Sequence, residues 1–247
     1  MQSVTILPGR DKTGKPEPFQ GITLERGELC TIVGNTGSGK SRFIKDVEQL
    51  AHGDSVTRRR VLLDGVEIPA ERRQSLSSQL VAHLGQNMRF VLDASVEEFL
   101  ALHAQCRGKE TPPVEVLALA NEITPEPVAL GQSLNQLSGG QSRALMIADI
   151  ALICDSPIVL IDEIENAGID KERALGLLQK SDKLVLVVTH DPHTALMARR
   201  RIVLAGGAVT AVVERTAGEA ALYEALGRAY REQRRYQTQL RKGAYLA

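Results

Sequence analysis

The chain has 247 residues, of which 43% are hydrophobic and 24% charged, which fits one large domain or one domain with a subdomain. Thirty acidic and thirty basic residues cancel, and aromatic residues make up only 3% with no tryptophan. This balance argues against a nucleic-acid-binding protein, since such proteins carry a basic surface and often stacking aromatics. The three cysteines, at 30, 106 and 154, lack metal-ligand spacing and predict a reducing compartment, with Cys30 and Cys154 as core residues.

The chain shows no membrane signals. Residues 1–10 lack a basic region followed by a long apolar run, so no signal peptide is predicted. No window reaches the roughly 18 to 20 apolar residues that span a bilayer. A cytoplasmic protein is therefore expected, and a separate subunit would supply the membrane part of any membrane process.

The first third of the chain predicts short strands around one helix. Apolar, β-prone runs predict strands at residues 4–7, 22–24, 28–33, 60–63 and 66–68. A loop rich in Gly, Pro and Lys lies at residues 8–18, and a helix is predicted at residues 41–50. The Asp64-Gly65 pair predicts a hairpin between the last two strands.

The rest of the chain predicts an α/β arrangement followed by a helical tail. Helical periodicity is seen at residues 96–105, 114–121, 138–153 and 217–242. Continuous apolar runs at residues 158–161 and 184–188 predict strands that are buried on both faces, as in a parallel sheet. Residues 202–213 predict a closing hairpin around Gly206-Gly207. The predicted organisation is one domain at residues 1–213 with a helical insert at about 87–136, followed by a tail at 214–247.

Residues 34–41 form the first motif with chemical meaning. They read Gly-Asn-Thr-Gly-Ser-Gly-Lys-Ser and match G-x-x-x-x-G-K-[ST] between a predicted strand and helix. Such a loop turns backbone N–H groups and a helix N-terminus toward phosphate oxygens. Lys40 would reach the β- and γ-phosphates, and the Ser41 hydroxyl would bind Mg²⁺. The predicted nucleotide-binding residues here are Gly34, Asn35, Thr36, Gly37, Ser38, Gly39, Lys40 and Ser41.

A second acidic motif follows the predicted strand at residues 158–161. Asp162 at the end of this strand can face Mg²⁺, and Glu163 beside it can act as a general base toward water. A strand that ends in a solvated acidic turn is the alternative. The phosphate-binding loop in the same chain favours the catalytic interpretation.

Residues 137–141, Leu-Ser-Gly-Gly-Gln, are identical to the LSGGQ signature of ATP-binding cassette (ABC) ATPases. Residues 34–41 and 158–163 resemble the Walker A and Walker B motifs of that family, and the resemblance covers about residues 4–213. Three further matches occur in family order: Gln86 (Q-loop), Ala167-Gly168-Ile169-Asp170 (D-loop) and His190 (switch histidine). The resemblance implies an α/β fold with a P-loop NTPase (RecA-like) core, an N-terminal antiparallel β subdomain and an inserted helical subdomain.

The resemblance also implies ATP and Mg²⁺ as ligands and a head-to-tail dimer, with a second copy as the expected partner. Ser138, Gly139, Gly140 and Gln141 open a helix and would cap the ATP held by the other cassette. The implied metal-site residues are Ser41, Gln86 and Asp162, and the implied catalytic residues are Glu163, His190 and Lys40.

The chain departs from the usual family pattern at three places. Residues 11–15 contain no aromatic ring where one usually stacks on adenine. The segment 162–170 lacks the usual Pro and is one residue longer than the common string. Asp149 stands about where an Arg is usual.

Two functions are compatible with this pattern: the ATPase subunit of a membrane transporter, and a soluble ABC ATPase that remodels, assembles or activates another protein. Residues 86–98 resemble the segment that meets a transmembrane permease in transporters, which would place the chain at the inner face of the membrane. Met88, Phe90, Val91 and Leu92 would be contacts there, or else core residues of the insert. The departures at residues 11–15 and 162–170 favour the soluble alternative, whereas the ordinary size of the helical insert favours the transporter subunit. The transporter subunit is the expected function, with the soluble ATPase as the alternative. The basic tail is expected to be a solvated helix.

Overall fold

The computed structural model describes residues 1–245, without the side chains of Asn166 and Ala167. The last two residues of the predicted tail and the Ala167 side chain of the predicted D-loop therefore lie outside the described residues. In chain order the strands are β1 (Ser3–Leu7), β2 (Ile22–Glu25), β3 (Leu29–Val33), β4 (Arg60–Leu63), β5 (Val66–Glu67), β6 (Val81–Leu84), β7 (Ile158–Asp162), β8 (Leu184–Val188), β9 (Arg200–Ala205) and β10 (Ala208–Glu214). The α-helices are α1 (Lys40–Glu48), α2 (Ala70–Leu80), α3 (Val96–Cys106), α4 (Pro113–Ile123), α5 (Gly139–Leu152), α6 (Lys171–Lys180), α7 (Pro192–Met197) and α8 (Ala217–Arg241). Short 3₁₀ turns span Leu134–Gln136 and Ile164–Ala167.

Two sheets form the framework. The smaller is antiparallel in the order β2-β1-β4-β5, and the Asp64-Gly65 turn has positive φ at both residues, 50° and 76°, as a tight hairpin turn requires. The larger has the order β10-β9-β3-β8-β7-β6, in which only β10 runs antiparallel to its neighbour. The expected α/β fold class is confirmed. Among the described helices none is long and apolar enough to cross a membrane.

The apolar core has three parts, and strand β7 shows how the first two are divided. Ile158 and Leu160 point to the face covered by α1 and the small sheet. Val159 and Ile161 point to the face covered by α5 and α6. Both faces are buried, as the unbroken apolar run predicted. The third part joins the helices α3 and α4 of the insert to α5.

The tail helix α8 docks on α7 and on the start of α6. His193 of α7 is stacked on Tyr223, with ring centroids 5.0 Å apart, and Tyr230 lies 5.3 Å from it. Arg234 pairs with Asp170, the N-cap residue of α6. Beyond these contacts α8 is mostly exposed, so the tail is a solvated helix anchored along one side.

A fully buried ion network joins the small sheet to α1. The Arg59 guanidinium, just before β4, donates to Glu17 and to Asp46 of α1, the latter at 3.1 Å. It also donates to the Gly207 carbonyl at 2.8 Å, and Glu17 accepts from the backbone N–H of Val209 at 2.6 Å. The side chains of Arg59 and Glu17 are 0% exposed and that of Asp46 is 2% exposed, so each charge depends on the others.

Replacing Arg59 with Met is expected to lower the free energy of unfolding by about 3–5 kcal/mol, because two carboxylates stay buried without their cation. Urea unfolding followed by circular dichroism measures the change. Arg60→Met is the control, since the Arg60 side chain is 52% exposed and should contribute less than about 1 kcal/mol. Equal losses of free energy of unfolding in the two variants would contradict this role of Arg59. Adding Glu17→Gln and Asp46→Asn to Arg59→Met should recover part of the lost free energy, because the unpaired carboxylates are then removed.

Candidate functional site

The predicted phosphate loop lies between β3 and α1, and close backbone packing explains its glycines. A Cβ atom at Gly34 would lie 2.3 Å from the Leu204 carbonyl oxygen. A Cβ atom at Gly39 would lie 3.0 Å from the Gly207 Cα, and Gly39 has a φ of 108°. The loop is therefore held between β9 and the β9–β10 turn in a conformation that only glycine accepts without strain.

Two lysine ammonium groups donate hydrogen bonds to this loop. Lys40 Nζ donates to the Gly34 and Asn35 carbonyls at 2.7 and 3.1 Å, and Lys12 Nζ donates to the Gly37 carbonyl at 2.6 Å. Both lysines line a cavity of about 340 Å³. Ser38 Oγ is buried beside the loop and has no hydrogen-bond partner among the described atoms. Two cations at one cavity, beside a glycine-rich loop, fit a polyphosphate.

The three predicted metal-site residues, Ser41, Gln86 and Asp162, line the same cavity. Their hydroxyl, amide and carboxylate oxygens are the donor types that Mg²⁺ takes, so the residues present fit this ion. Burial, and then the neighbouring Glu163 carboxylate, raise the pKa of Asp162. A bound cation would oppose both effects and favour the charged carboxylate.

Glu163 stands at the centre of the site in a strained backbone conformation. Its φ of 52° and ψ of 65° lie in the left-handed region, which is rare for a residue other than glycine. Gln86 Nε2 donates to Glu163 Oε2 at 2.6 Å, and His190 Nδ1 lies 3.5 Å from Glu163 Oε1. The predicted general base is thus joined directly to two other predicted site residues, although His190 itself does not line the cavity.

The signature residues form the N-terminus of α5, away from the phosphate cavity. Ser138 Oγ accepts from the Gln141 N–H at 3.2 Å, and Gln141 Oε1 accepts from the Ser138 N–H at 2.9 Å, which closes a capping box. Ser138 and Gly139 are exposed. In the described part of the chain none of residues 138–141 lines the cavity around Lys40, so the predicted signature residues lie at a different part of the surface.

Arg143 contacts the site residues from below the surface, and the sequence motifs did not single it out. It is buried in α5 and donates to the carbonyl oxygens of Gly85 and Asp162, the latter at 2.8 Å. Burial lowers the pKa of Arg143, while the carboxylates of Asp162 and Glu165 oppose this effect. The signature helix is therefore attached to the residue before Gln86 and to the end of β7. The sequence signal was a cation at the start of a helix whose later residues are mostly apolar.

A second cavity, of about 360 Å³, adjoins the phosphate cavity and shares Lys12, Gly39 and Arg42 with it. Val56, which is 75% exposed, forms an aliphatic wall. The remaining lining residues are Arg10, Asp11, Thr57 and Gly207. This lining contains no aromatic ring, in line with the absence noted at residues 11–15.

A third depression lies between β6 and α5, beside residues 88–92. Met88, Val91 and Leu92 are 45%, 92% and 48% exposed. Phe90 is instead half-buried against Phe99, with ring centroids 4.9 Å apart. Three of the four apolar residues thus form a surface, and only Phe90 belongs to the core of the insert.

Known proteins share sequence and fold with this chain. Residues 21–166 match a family model described as ABC transporter. An uncharacterized ABC transporter ATP-binding protein of Methanocaldococcus jannaschii is 51% identical over 221 residues, which cover 89% of this chain and 85% of that protein. The macrolide export ATP-binding/permease protein MacB of Aggregatibacter actinomycetemcomitans is 30% identical, over 76% of this chain but only 30% of that protein. A solved dimeric ATP-binding cassette with bound ADP and Pi superposes with a TM-score of 0.63 at 24% identity, covering 85% of this chain and 98% of that one.

Proposed function

The chain belongs to the ABC transporter family, and we propose that it is the subunit that binds and hydrolyses Mg-ATP to drive a transporter. The observation that carries the proposal is a single cavity lined by the phosphate loop, Gln86, Asp162 and Glu163. Loop amides and Lys40 bind the phosphates, Lys12 adds a second cation, and the adjoining cavity around Val56 receives the nucleoside.

In the proposed reaction the Glu163 carboxylate takes a proton from a water molecule. The water oxygen then bonds to the γ-phosphorus as the bond to the β,γ-bridging oxygen breaks, which gives ADP and inorganic phosphate. Gln86 holds the Glu163 carboxylate at 2.6 Å and so fixes the base toward that water. His190 reaches the same centre from the other side and stabilises the γ-phosphate. Bound Mg²⁺ would neutralise phosphate charge between Ser41, Gln86 and Asp162.

The dimer in this proposal is head-to-tail and two-fold, because the chain carries both halves of a composite site. Lys40 and Ser138 belong to different surfaces of one chain. A second copy can place its α5 N-terminus against the γ-phosphate, and the same operation completes the other site. ATP then holds the two copies together, and hydrolysis releases them.

The proposed partner is a transmembrane permease that docks at residues 88–92, which places the chain on the cytoplasmic side of the membrane. The exposed Met88, Val91 and Leu92 support this docking surface. The name of MacB, an ATP-binding/permease protein, also joins the two functions in one relative. The ring-free lining of the nucleoside cavity supports the second candidate, a soluble ABC ATPase that acts on another protein.

Lys40→Ala is expected to weaken ATP binding at least tenfold and to abolish hydrolysis, since it removes the ammonium that lies on the phosphate loop. Fluorescent nucleotide titration and phosphate release measure the two effects. Lys45→Ala, an exposed lysine on the same helix, is the matched control and should behave as wild type. Undiminished hydrolysis by the Lys40 variant would overturn the assignment of the phosphate loop.

Glu163→Gln is expected to bind Mg-ATP without hydrolysing it and to accumulate as a dimer, because the amide cannot accept the proton from water. Light scattering after gel filtration measures the mass with and without Mg-ATP. The double variant Glu163→Gln, Ser138→Arg should stay monomeric, since the added cation would block the α5 N-terminus. A Glu163→Gln protein that is monomeric at saturating Mg-ATP would contradict the dimer.

A tagged Glu163→Gln protein, captured with Mg-ATP from solubilised membranes and from cytosol of the source cells, tests the partner. A multi-span membrane protein is expected, and Val91→Asp should remove it by placing a charge on the exposed apolar surface. Capture of a soluble enzyme that is unaffected by Val91→Asp would favour the second candidate.

A further inference from the structure

Glu165 is a charged residue in the unusual segment that follows the general base, and it is nearly buried. Its side chain is 12% exposed and lies in the 3₁₀ turn after Glu163. Glu165 Oε1 accepts from the Thr189 hydroxyl at 2.8 Å and from the His190 backbone N–H at 3.1 Å. One carboxylate oxygen therefore binds two consecutive residues of the loop after β8.

The His190 ring lies between two carboxylates. Its Nδ1 is 3.5 Å from Glu163 Oε1 and 3.5 Å from Glu165 Oε1. The ring itself is exposed, with 59% of the side chain accessible, so packing does not fix its direction. The position of the ring therefore depends on these two carboxylates and on the His190 backbone, whose N–H is bound by Glu165.

A residue that only filled space at this position would be apolar, because burying a carboxylate costs free energy unless it is hydrogen-bonded. Glu165 Oε2 is buried without a hydrogen-bond partner among the described atoms, so part of that cost remains. The buried Arg143 supplies the compensating charge, since Glu165 is one of the two carboxylates that act on it electrostatically. A carboxylate that is buried despite this cost indicates a role other than stability.

We propose that Glu165 is a positioning residue for hydrolysis, which holds Thr189 and His190 so that the His190 ring stays at the catalytic centre beside Glu163. The proposal rests on the proposed ATPase function. Glu165 is not among the residues that line the cavity around Lys40 and acts through the loop after β8, so nucleotide binding at Lys40 should not depend on it.

The loop has a second anchor, which allows this role to be tested in a folded protein. Lys171 pairs with Asp191, and Asp191 also accepts from the N–H and hydroxyl of Thr194, both at 2.7 Å. The segment after His190 thus stays attached when Glu165 is changed. A change at Glu165 removes the hydrogen bonds from the Thr189 hydroxyl and the His190 N–H.

Glu165→Ala is expected to lower kcat about tenfold, which corresponds to about 1.4 kcal/mol, with KM and fluorescent-nucleotide affinity within about twofold of wild type. Glu165→Gln keeps an oxygen that accepts from Thr189 and His190, and should retain kcat within about threefold. Glu115→Ala, an exposed glutamate on α4, is the control. Wild-type kcat in Glu165→Ala, or equal losses in the Ala and Gln variants, would overturn the proposal.

A double-mutant cycle separates positioning from a general structural effect. If Glu165 acts through His190, adding Glu165→Ala to His190→Ala lowers kcat no further, because the positioned ring is already absent. Losses that multiply would overturn the proposal. Failure of the proposed ATPase function gives a different result from failure of the Glu165 proposal. In that case the wild-type protein would show no ATP hydrolysis that depends on Lys40.

Discussion

The position of the phosphate loop depends on the contacts of the buried Arg59 guanidinium. It binds Asp46 of α1, Glu17 of the loop at residues 8–18 and the carbonyl of Gly207 in the β9–β10 turn. Gly207 in turn lies against Gly39, the N-cap residue of α1. Three segments far apart in sequence thus meet on one cation, and its fork of donors satisfies all of them. The desolvation cost of these charges is offset only while the set is complete.

The remaining site residues reach the same place through the order of the parallel strands. The phosphate loop follows β3, His190 follows β8, Glu163 follows β7 and Gln86 follows β6, and these four strands are consecutive neighbours in the sheet. Because the carboxyl ends of parallel strands share one edge, residues from four distant parts of the chain are placed side by side. The Gln86–Glu163 hydrogen bond and the His190–Glu163 contact are the result.

The sequence predicted the elements that carry a strong apolar pattern and the residues that belong to motifs. It missed β6, a four-residue edge strand, and α2, a polar helix with no buried residue. It also missed α7, which has only six residues, and α6, which contains Gly176. The sequence also did not predict roles for Lys12, Arg143 and Glu165, because those roles depend on tertiary contacts. Lys12 meets the phosphate loop from 25 positions away, and Arg143 reaches carbonyls 58 and 19 positions away, which no local spacing records.

The left-handed backbone at Glu163 sets stability against activity at one position. Asparagine and glycine adopt a φ of 52° more readily than glutamate does, so either would relieve strain that the wild-type chain carries. Neither has the carboxylate that accepts a proton from water in the proposed mechanism. A selection for heat resistance alone would therefore favour changes at residue 163, and the proposed mechanism predicts that the resulting proteins are folded but inactive. Engineering of this chain therefore has to screen turnover together with melting temperature.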